Sequence, residues 1–372
     1  MNAVRRLSIV HTESSCGWGG QEIRVLEESA GLAARGHQVR VLCAPEARIH
    51  AEACRRGISV TQLPIARKSL RGLFALTGWL KRHRPDVINT HSSTDSWLTS
   101  LAVRASGRAV PIVRTRHISA PLSTSALTRW LYARAANRVV TTGEALRAEV
   151  IAATGASPGR VESVPTGVDL SRFVPGDRIA VRGRIDLPAA AFLVGIVATL
   201  RSWKGHAYLV EAVARLADPE IRLVIVGDGP GWGPLREQVS RLRIEGRVVF
   251  AGNQADTVPW FQAFDLFALP SYANEGVPQA IQQAMACGLP VVTTPVGAIA
   301  EIVTDGKTGL LVAPRDAHAL SEAIARLKSD DRLRQRLAHA AREHALARFS
   351  REAMLDRMEA VFAAAALSAG PA

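Results

Sequence analysis

Aromatic residues are scarce, 5% of 372 positions, and nothing strings them along a basic face. That excludes the base-stacking platforms on which single-stranded nucleic acids are read, so no nucleic-acid partner is expected. Cysteine is rarer still. Cys16, Cys43, Cys54 and Cys287 show no CxxC or other ligand-like spacing, so neither a disulfide framework nor a thiolate metal site is expected, and the thiols read as reduced in a cytoplasmic protein. Long apolar runs are missing. Leu187–Leu200 is free of charge for 14 residues but contains Pro188 and Gly195, whereas a membrane-crossing helix takes about 20. The opening MNAVRRLSIVHT has an Arg pair but too short an apolar stretch for a secretory leader to be expected. Negative charge is in deficit: 33 Asp+Glu face 46 Lys+Arg, a net +13. The excess is lopsided. Residues 1–170 hold 23 basic and 12 acidic side chains, net +11, and the remainder 23 and 21, net +2. A basic first half attracts anions, whether phosphates, nucleic acid or an anionic membrane surface; a merely solvated Arg-rich surface gives the same count.

What is present is ordinary globular material, 48% hydrophobic and 21% charged. The length suits two domains at about 150 residues each. Short β-rich runs alternate with helical periods. Strands are expected at Leu7–Thr12, His37–Cys43, Ile58–Leu63, Val87–Thr90, Val110–Thr115 and Arg138–Thr142. After a Pro-, Gly- and Asp-rich linker, Val164–Asp177, they resume at Leu193–Thr199, Ile221–Val226, Val248–Ala251, Leu266–Leu269 and Pro290–Thr293. From Ala317 the chain reads as mostly helical. Strand–helix–strand alternation implies parallel sheets covered by helices on both faces. Two doubly wound domains in tandem are expected to bind ligand at the carboxyl ends of their strands, in a cleft between them.

Five places hold residues suited to such a ligand. The clearest is Glu275–Leu289, EGVPQAIQQAMACGL. Glu275, Gly276 and Val277 fall in a loop, and Pro278 suits the first position of a helix, where its missing N–H is not needed. Amides around Gly276–Gln279 then point out of a helix N-terminus, which attracts anions. Glu275 either caps that helix or hydrogen-bonds a polar ligand held there. Gln283, about 7.5 Å further along the axis at 1.5 Å per residue, would read another part of an elongated ligand. In Thr199–Gly205 (TLRSWKG), Arg201 and Lys204 follow a strand and suit a diphosphate, although basic residues commonly follow strands. The Val226–Leu235 run, VGDGPGWGPL, is not a GxGxxG fingerprint; its glycines suit either a ligand-approaching turn or a structural one. Gly17, Gly19 and Gly20 follow the first strand, and His91 and His117 end two others. Last, Arg67–Arg84 interleaves Arg67, Lys68, Arg71, Lys81, Arg82 and Arg84 with apolar residues. Trp79 and its flanking cations suit an interfacial helix, and Leu73, Leu76 and Leu80 suit one packed on its own domain.

In combination these residues resemble the family 4 retaining glycosyltransferases of the GT-B fold, over nearly the whole chain. Eight pieces appear in order: the GGxE turn (Gly19, Gly20, Glu22), VPTGVD (Val164–Asp169), KG (Lys204, Gly205), VGDGP (Val226–Pro230), VVFAG (Val248–Gly252), LPS (Leu269–Ser271), the EGxP motif (Glu275–Val292) and TGLLV (Thr308–Val312). The resemblance implies an α/β architecture of two Rossmann-like domains: 1–170 for the acceptor, 171–350 for a nucleoside-diphosphate-sugar donor, and a helix over 351–372 packing back on the first. It implies Glu275, Lys204 and His117 as catalytic, and Gly19, Gly20, Arg201, Lys204, Gly227, Asp228, Gly276, Val277 and Gln283 as donor-binding. Three positions depart from the family pattern: Gln283 replaces a glutamate, Thr199 an arginine and Thr166 an asparagine.

The reaction so implied moves a sugar to an acceptor hydroxyl with retention. Attack comes on the face of departure, the leaving phosphate takes the acceptor proton, and neither metal nor other cofactor takes part. The acceptor is expected to be a glycan or glycolipid of the cell-envelope or lipopolysaccharide kind, met at the inner face of the membrane. A non-catalytic nucleotide-sugar binder that keeps the fold would show the same motifs.

Overall fold

The computed structural model describes residues 5–117 and 120–368, and the elements below are counted over these. Residues 1–4, and 369–372 of the expected terminal helix, lie outside the described residues. The chain divides into two compact units: one runs to Thr166 and resumes from Glu352, and the other is Gly167–Arg351.

The first unit holds β1 (Ser8–Glu13), β2 (Gln38–Cys43), β3 (Ser59–Gln62), β4 (Val87–Thr90), β5 (Ile112–Arg116), β6 (Arg138–Thr141) and β7 (Val161–Ser163). They form a sheet in the order β3-β2-β1-β4-β5-β6-β7, parallel throughout. Order reverses about β1, whose neighbours β2 and β4 lead off in opposite directions, the place where doubly wound sheets open to ligands. The inner strands are buried on both faces, as parallel strands must be when helices cover them. Their sequences are apolar at the start and turn polar at the carboxyl end: SIVHTE, VINT and IVRTR. One helix covering this sheet is Arg351–Leu367. Its Met354, Leu355, Met358 and Phe362 are buried with Ile9, Leu32, Val113 and Val140.

The second unit holds β8 (Phe192–Val197), β9 (Ile221–Val226), β10 (Val248–Gly252), β11 (Leu266–Leu269), β12 (Val291–Thr293) and β13 (Leu310–Leu311). The order is β10-β9-β8-β11-β12-β13, again all parallel. The sequence reading lacked β7 and β13. Both are edge strands of two or three residues, too short to show a period.

The Val164–Asp177 segment is not a loose linker. Val164, Thr166, Val168 and Phe173 are buried. The Val168 N–H donates to the Phe349 carbonyl (2.7 Å), the Arg351 N–H to the Val168 carbonyl (2.9 Å), and the Arg351 guanidinium to Asp169 (2.8 Å). These bonds hold Val168 and Asp169 with the second unit, so the units part after Thr166 rather than after Leu170.

Candidate functional site

In the second unit three loops leave the carboxyl ends of β8, β11 and β12 and converge on one ion pair. Lys204 Nζ donates to both oxygens of Glu275, at 2.7 and 3.0 Å. Ser271, the serine of LPS, donates to Glu275 Oε1 at 2.6 Å. Glu275 is 3% exposed, while the Lys204 side chain keeps 21% of its surface.

Two glycines explain the close approach. Gly205 has φ +79°, and a β-carbon there would lie 2.0 Å from the Pro270 carbonyl oxygen. Gly297 has φ +60°, and its β-carbon would lie 2.0 Å from the Glu275 carbonyl oxygen. No side chain fits either place, and both φ values disfavour one. Asn274, just before the acid, is also left-handed at φ +56°, which asparagine tolerates. The Tyr272 N–H donates to the Trp203 carbonyl at 2.8 Å, tying the KG turn to the LPS loop.

Gly276 and Val277 follow Glu275 and are buried. The helix they lead into is Gln279–Ala286, so Pro278 is its cap rather than its first residue. Its φ of −71° and ψ of +120° are extended, and a proline costs no amide at either position. Gln283 is half-buried in the second turn. Arg201 is exposed on the turn that carries Lys204, its guanidinium 5.7 Å from the Trp203 ring centre. Gly227 and Asp228 lie in a turn fastened to the same loop. The Leu200 N–H donates to the Asp228 carbonyl (3.0 Å), the Gly231 N–H to the Leu200 carbonyl (2.9 Å), and the Gly229 N–H to the Asp228 carboxylate (2.7 Å). Those bonds give the VGDGP turn a structural task, holding the segment that bears Arg201.

The first unit gathers its polar residues at the carboxyl ends of β1, β4 and β5. His117 follows β5 and is 9% exposed. Its Nε2 lies 2.9 Å from His91 Nδ1, and His91 Nε2 lies 3.0 Å from His11 Nδ1. Burial, reinforced by nearby cationic Arg24, holds all three imidazoles in the neutral form; the value for His11 falls to about 3. Beside them sits a carboxylate group that the sequence reading missed. Asp95 accepts from Thr12 Oγ1 (2.8 Å) and from the amides of His91 (2.9 Å) and Ser92 (2.8 Å). Glu13 accepts from Ser92 Oγ (2.7 Å), the Ser15 amide (2.8 Å) and Gln21 (2.5 Å). Burial first, then the charges of Asp95 and Glu22, push the Glu13 carboxyl well above its usual range. The signal was the polar end of an otherwise apolar strand. Gly19 and Gly20 lie at the start of the helix Gly20–Ala34, Gly19 with extended backbone at φ −174°.

In the basic helix Leu70–Arg82 the packed reading holds rather than the interfacial one for Trp79, which is 4% exposed and lies in the core with Leu76 and Leu80. The exposed apolar residues are Leu70 and Phe74, each 70% accessible, with Leu101 nearby along a shallow groove that also takes in Lys68 and Trp97. Among the described residues no helix is long and apolar enough to cross a membrane, and no group of three or more His, Cys, Asp or Glu side chains is placed to hold a metal ion.

Comparison with known proteins identifies the family and the fold. Residues 18–172 match the model described as Glycosyltransferase Family 4, and residues 191–330 that of Glycosyl transferases group 1. A D-inositol 3-phosphate glycosyltransferase of Xylanimonas cellulosilytica is 31% identical over 367 residues, covering 87% of each chain. The chain belongs to this glycosyltransferase family. A namesake from Stackebrandtia nassauensis is 38% identical over 212 residues, 52% of this chain and 46% of that protein. Among solved structures, Anabaena HepE in complex with UDP-glucose superposes with a TM-score of 0.87 at 23% identity, over 96% of this chain and all of that one. WaaG, a glycosyltransferase involved in lipopolysaccharide biosynthesis, gives 0.74 at 18% identity, over 95% and 99%. The fold is that of the GT-B glycosyltransferases, two Rossmann-like α/β domains, as the sequence motifs implied.

Proposed function

We propose that the chain transfers a sugar, with retention, from a nucleoside-diphosphate sugar to a hydroxyl of an anionic polyol acceptor. The Lys204–Glu275 pair carries this reading. An ammonium has three donors and a carboxylate about four acceptor sites. Glu275 takes two hydrogen bonds from Lys204, and Lys204 and Ser271 together give the carboxylate three. Each partner therefore keeps capacity for a ligand: Lys204 for a diphosphate oxygen, Glu275 for a sugar hydroxyl. Gly276, Val277, Gln283 and Asp228 complete the second unit's donor site in this reading.

The bond that breaks joins the anomeric carbon to a phosphate oxygen, and its electrons stay on the diphosphate. Lys204, Arg201 and the helix N-terminus after Glu275 meet that charge without a metal. The acceptor oxygen bonds to the anomeric carbon on the same face, and the departing phosphate oxygen takes its proton. His117, held neutral, orients the sugar. Two features of the first unit bear on the acceptor: its net +11 charge, and the Leu70–Phe74 surface flanked by Arg67, Lys68 and Arg71. The charge suits a phosphorylated polyol, free as in the relatives' names, and the exposed apolar pair flanked by cations suits one carried at the head of a glycolipid on the cytoplasmic face of an anionic membrane.

The test is a product assay over UDP-, GDP- and ADP-sugars with inositol 3-phosphate, or with a lipid-linked glycan in anionic vesicles. A true donor also raises Tm by mass action. Lys204→Ala and Glu275→Ala should each cut turnover by orders of magnitude; near-normal rates in both would refute the assignment.

A further inference from the structure

His11 lies on β1, and His91 and His117 directly follow β4 and β5, the next two strands of the same sheet; the three imidazoles touch in series. Their order leads inward to Glu28 on the helix Gly20–Ala34: His11 Nε2 is 4.0 Å from Glu28 Oε1, with both side chains fully buried. Glu28 Oε2 in turn is 3.6 Å from Arg24 Nε, equally buried. A second string runs beside the first. Thr115 Oγ1 donates to Asn89 Oδ1 (2.8 Å), and Asn89 Nδ2 donates to Glu28 Oε1 (3.3 Å). Both strings end on one carboxylate.

A neutral imidazole carries one N–H and one lone pair. Two hydrogen bonds along three neutral rings therefore allow two arrangements. In one, every N–H points outward: His11 gives its Nδ1 proton to His91, His91 gives its own to His117, and His117 presents Nδ1–H. His11 Nε2 then turns a lone pair on Glu28. In the other, every N–H points inward: His117 Nε2–H donates to His91, His91 Nε2–H to His11, and His11 Nε2–H faces Glu28. His117 Nδ1 is then a bare lone pair. Burial raises the Glu28 carboxyl above its usual range, against the opposing pull of the Arg24 guanidinium and the Asn89 hydrogen bond; what favours the ionised form is the need of Arg24. Arg24 cannot give up its proton and needs a buried counter-charge, and its carbonyl and hydroxyl partners, Val164 and Thr166, supply none. Glu28 is that counter-charge. A buried carboxylate repels a lone pair and attracts an N–H, more strongly in a low dielectric.

We propose that Glu28 acts through His11 and His91 as a positioning group that fixes His117 in its Nε2–H tautomer, so that Nδ1 is a hydrogen-bond acceptor for a hydroxyl of the sugar or acceptor. This deepens the role given to His117 above and rests on it only for its purpose, not for its geometry. Asn89 and Thr115 hold Glu28 in place by the parallel string.

The imidazole nitrogens report the tautomer directly. In full-length protein labelled with 15N-histidine, at neutral pH and without ligand, His117 should show an unprotonated Nδ1 and a protonated Nε2, its resonances assigned with a His117→Asn variant. Glu28→Gln keeps the shape, removes the charge, and should shift His117 toward Nδ1–H while lowering kcat with the donor KM unchanged. A purely structural role would lower Tm and leave the tautomer alone. Should Glu28→Gln not fold, His11→Phe breaks the same string, keeps a ring against Phe362 and should release the tautomer likewise. Finding Nδ1–H in the wild type, or the wild-type tautomer in the variants, overturns the proposal. The expected tautomer together with full activity in His117→Ala would refute the catalytic reading and leave the positioning string intact.

Discussion

At the residue scale, the Lys204–Glu275 pair ties two loops of the second unit together, and the chemistry proposed for it should separate from that structural task by mutation. Removing Lys204 leaves a carboxylate that is 3% exposed and still accepts a hydrogen bond from Ser271. Breaking a fully buried pair costs about 3–5 kcal/mol; Lys204 is partly solvated, so about 1–3 is expected here. Lys204→Met should therefore lower Tm, and adding Glu275→Gln should restore much of it while transfer stays lost. A double-mutant cycle in thermal melts and product assays checks both halves. Gln283 lies half-exposed at the second acidic position of the family motif, and Gln283→Glu should fold normally and keep transfer within a few-fold. Lys204 and Glu275 were legible in the sequence because KG and EGxP are local strings. The carboxylates of Glu13 and Asp95 were not: Asp95 is locally only the acid of a helix capping box with Ser92, and the bonds from Thr12 to Asp95 and from Ser92 to Glu13 arise from sheet pairing that no local string records.

At the element scale, the strands were legible where both faces are buried, as in FLVGIV and IRLVIV. They were lost at edges two or three residues long. The basic helix Leu70–Arg82 shows the other limit. Its leucines, Phe74 and Trp79 spread over more than half of the circumference, and only packing decides that Trp79 faces in and Phe74 faces out. The helix Arg351–Leu367 is the most exacting element to delete, because the first unit's core closes around it. Phe362 is fully buried there and its ring stands edge-on to His11, 6.1 Å between centres. Phe362→Ala should cost about 3–5 kcal/mol, read as a lower midpoint in urea, and should disturb the His11 resonances as well.

At the scale of the whole molecule, buried titratable groups set the pH range of stability. His11, His91, His117 and His206 are all depressed by burial. The unfolded chain binds protons at these residues near pH 6.5 and the folded one does not. They thus favour the fold above that pH, and stability falls as pH drops through and below it. Glu13 works in the opposite sense. Its raised value means the folded state keeps a proton that the unfolded state releases near pH 4.5, so its contribution fades as pH rises. Glu13→Gln should gain in Tm relative to the wild type steadily from acid to alkaline pH; a constant difference across that range would show that Glu13 titrates normally in the fold.

The backbone bonds that join Val168 to Phe349 and Arg351 also have a genetic corollary. They make residues 167–351 a self-closed insert: polypeptide enters and leaves it at one point, and a glycine at 167 lets the two passes nearly touch, since a β-carbon there would sit 2.5 Å from the Arg351 α-carbon. Such a cassette could be excised or exchanged for the equivalent block of a relative at the DNA level, with a single short splice from Thr166 to Glu352 as the seam.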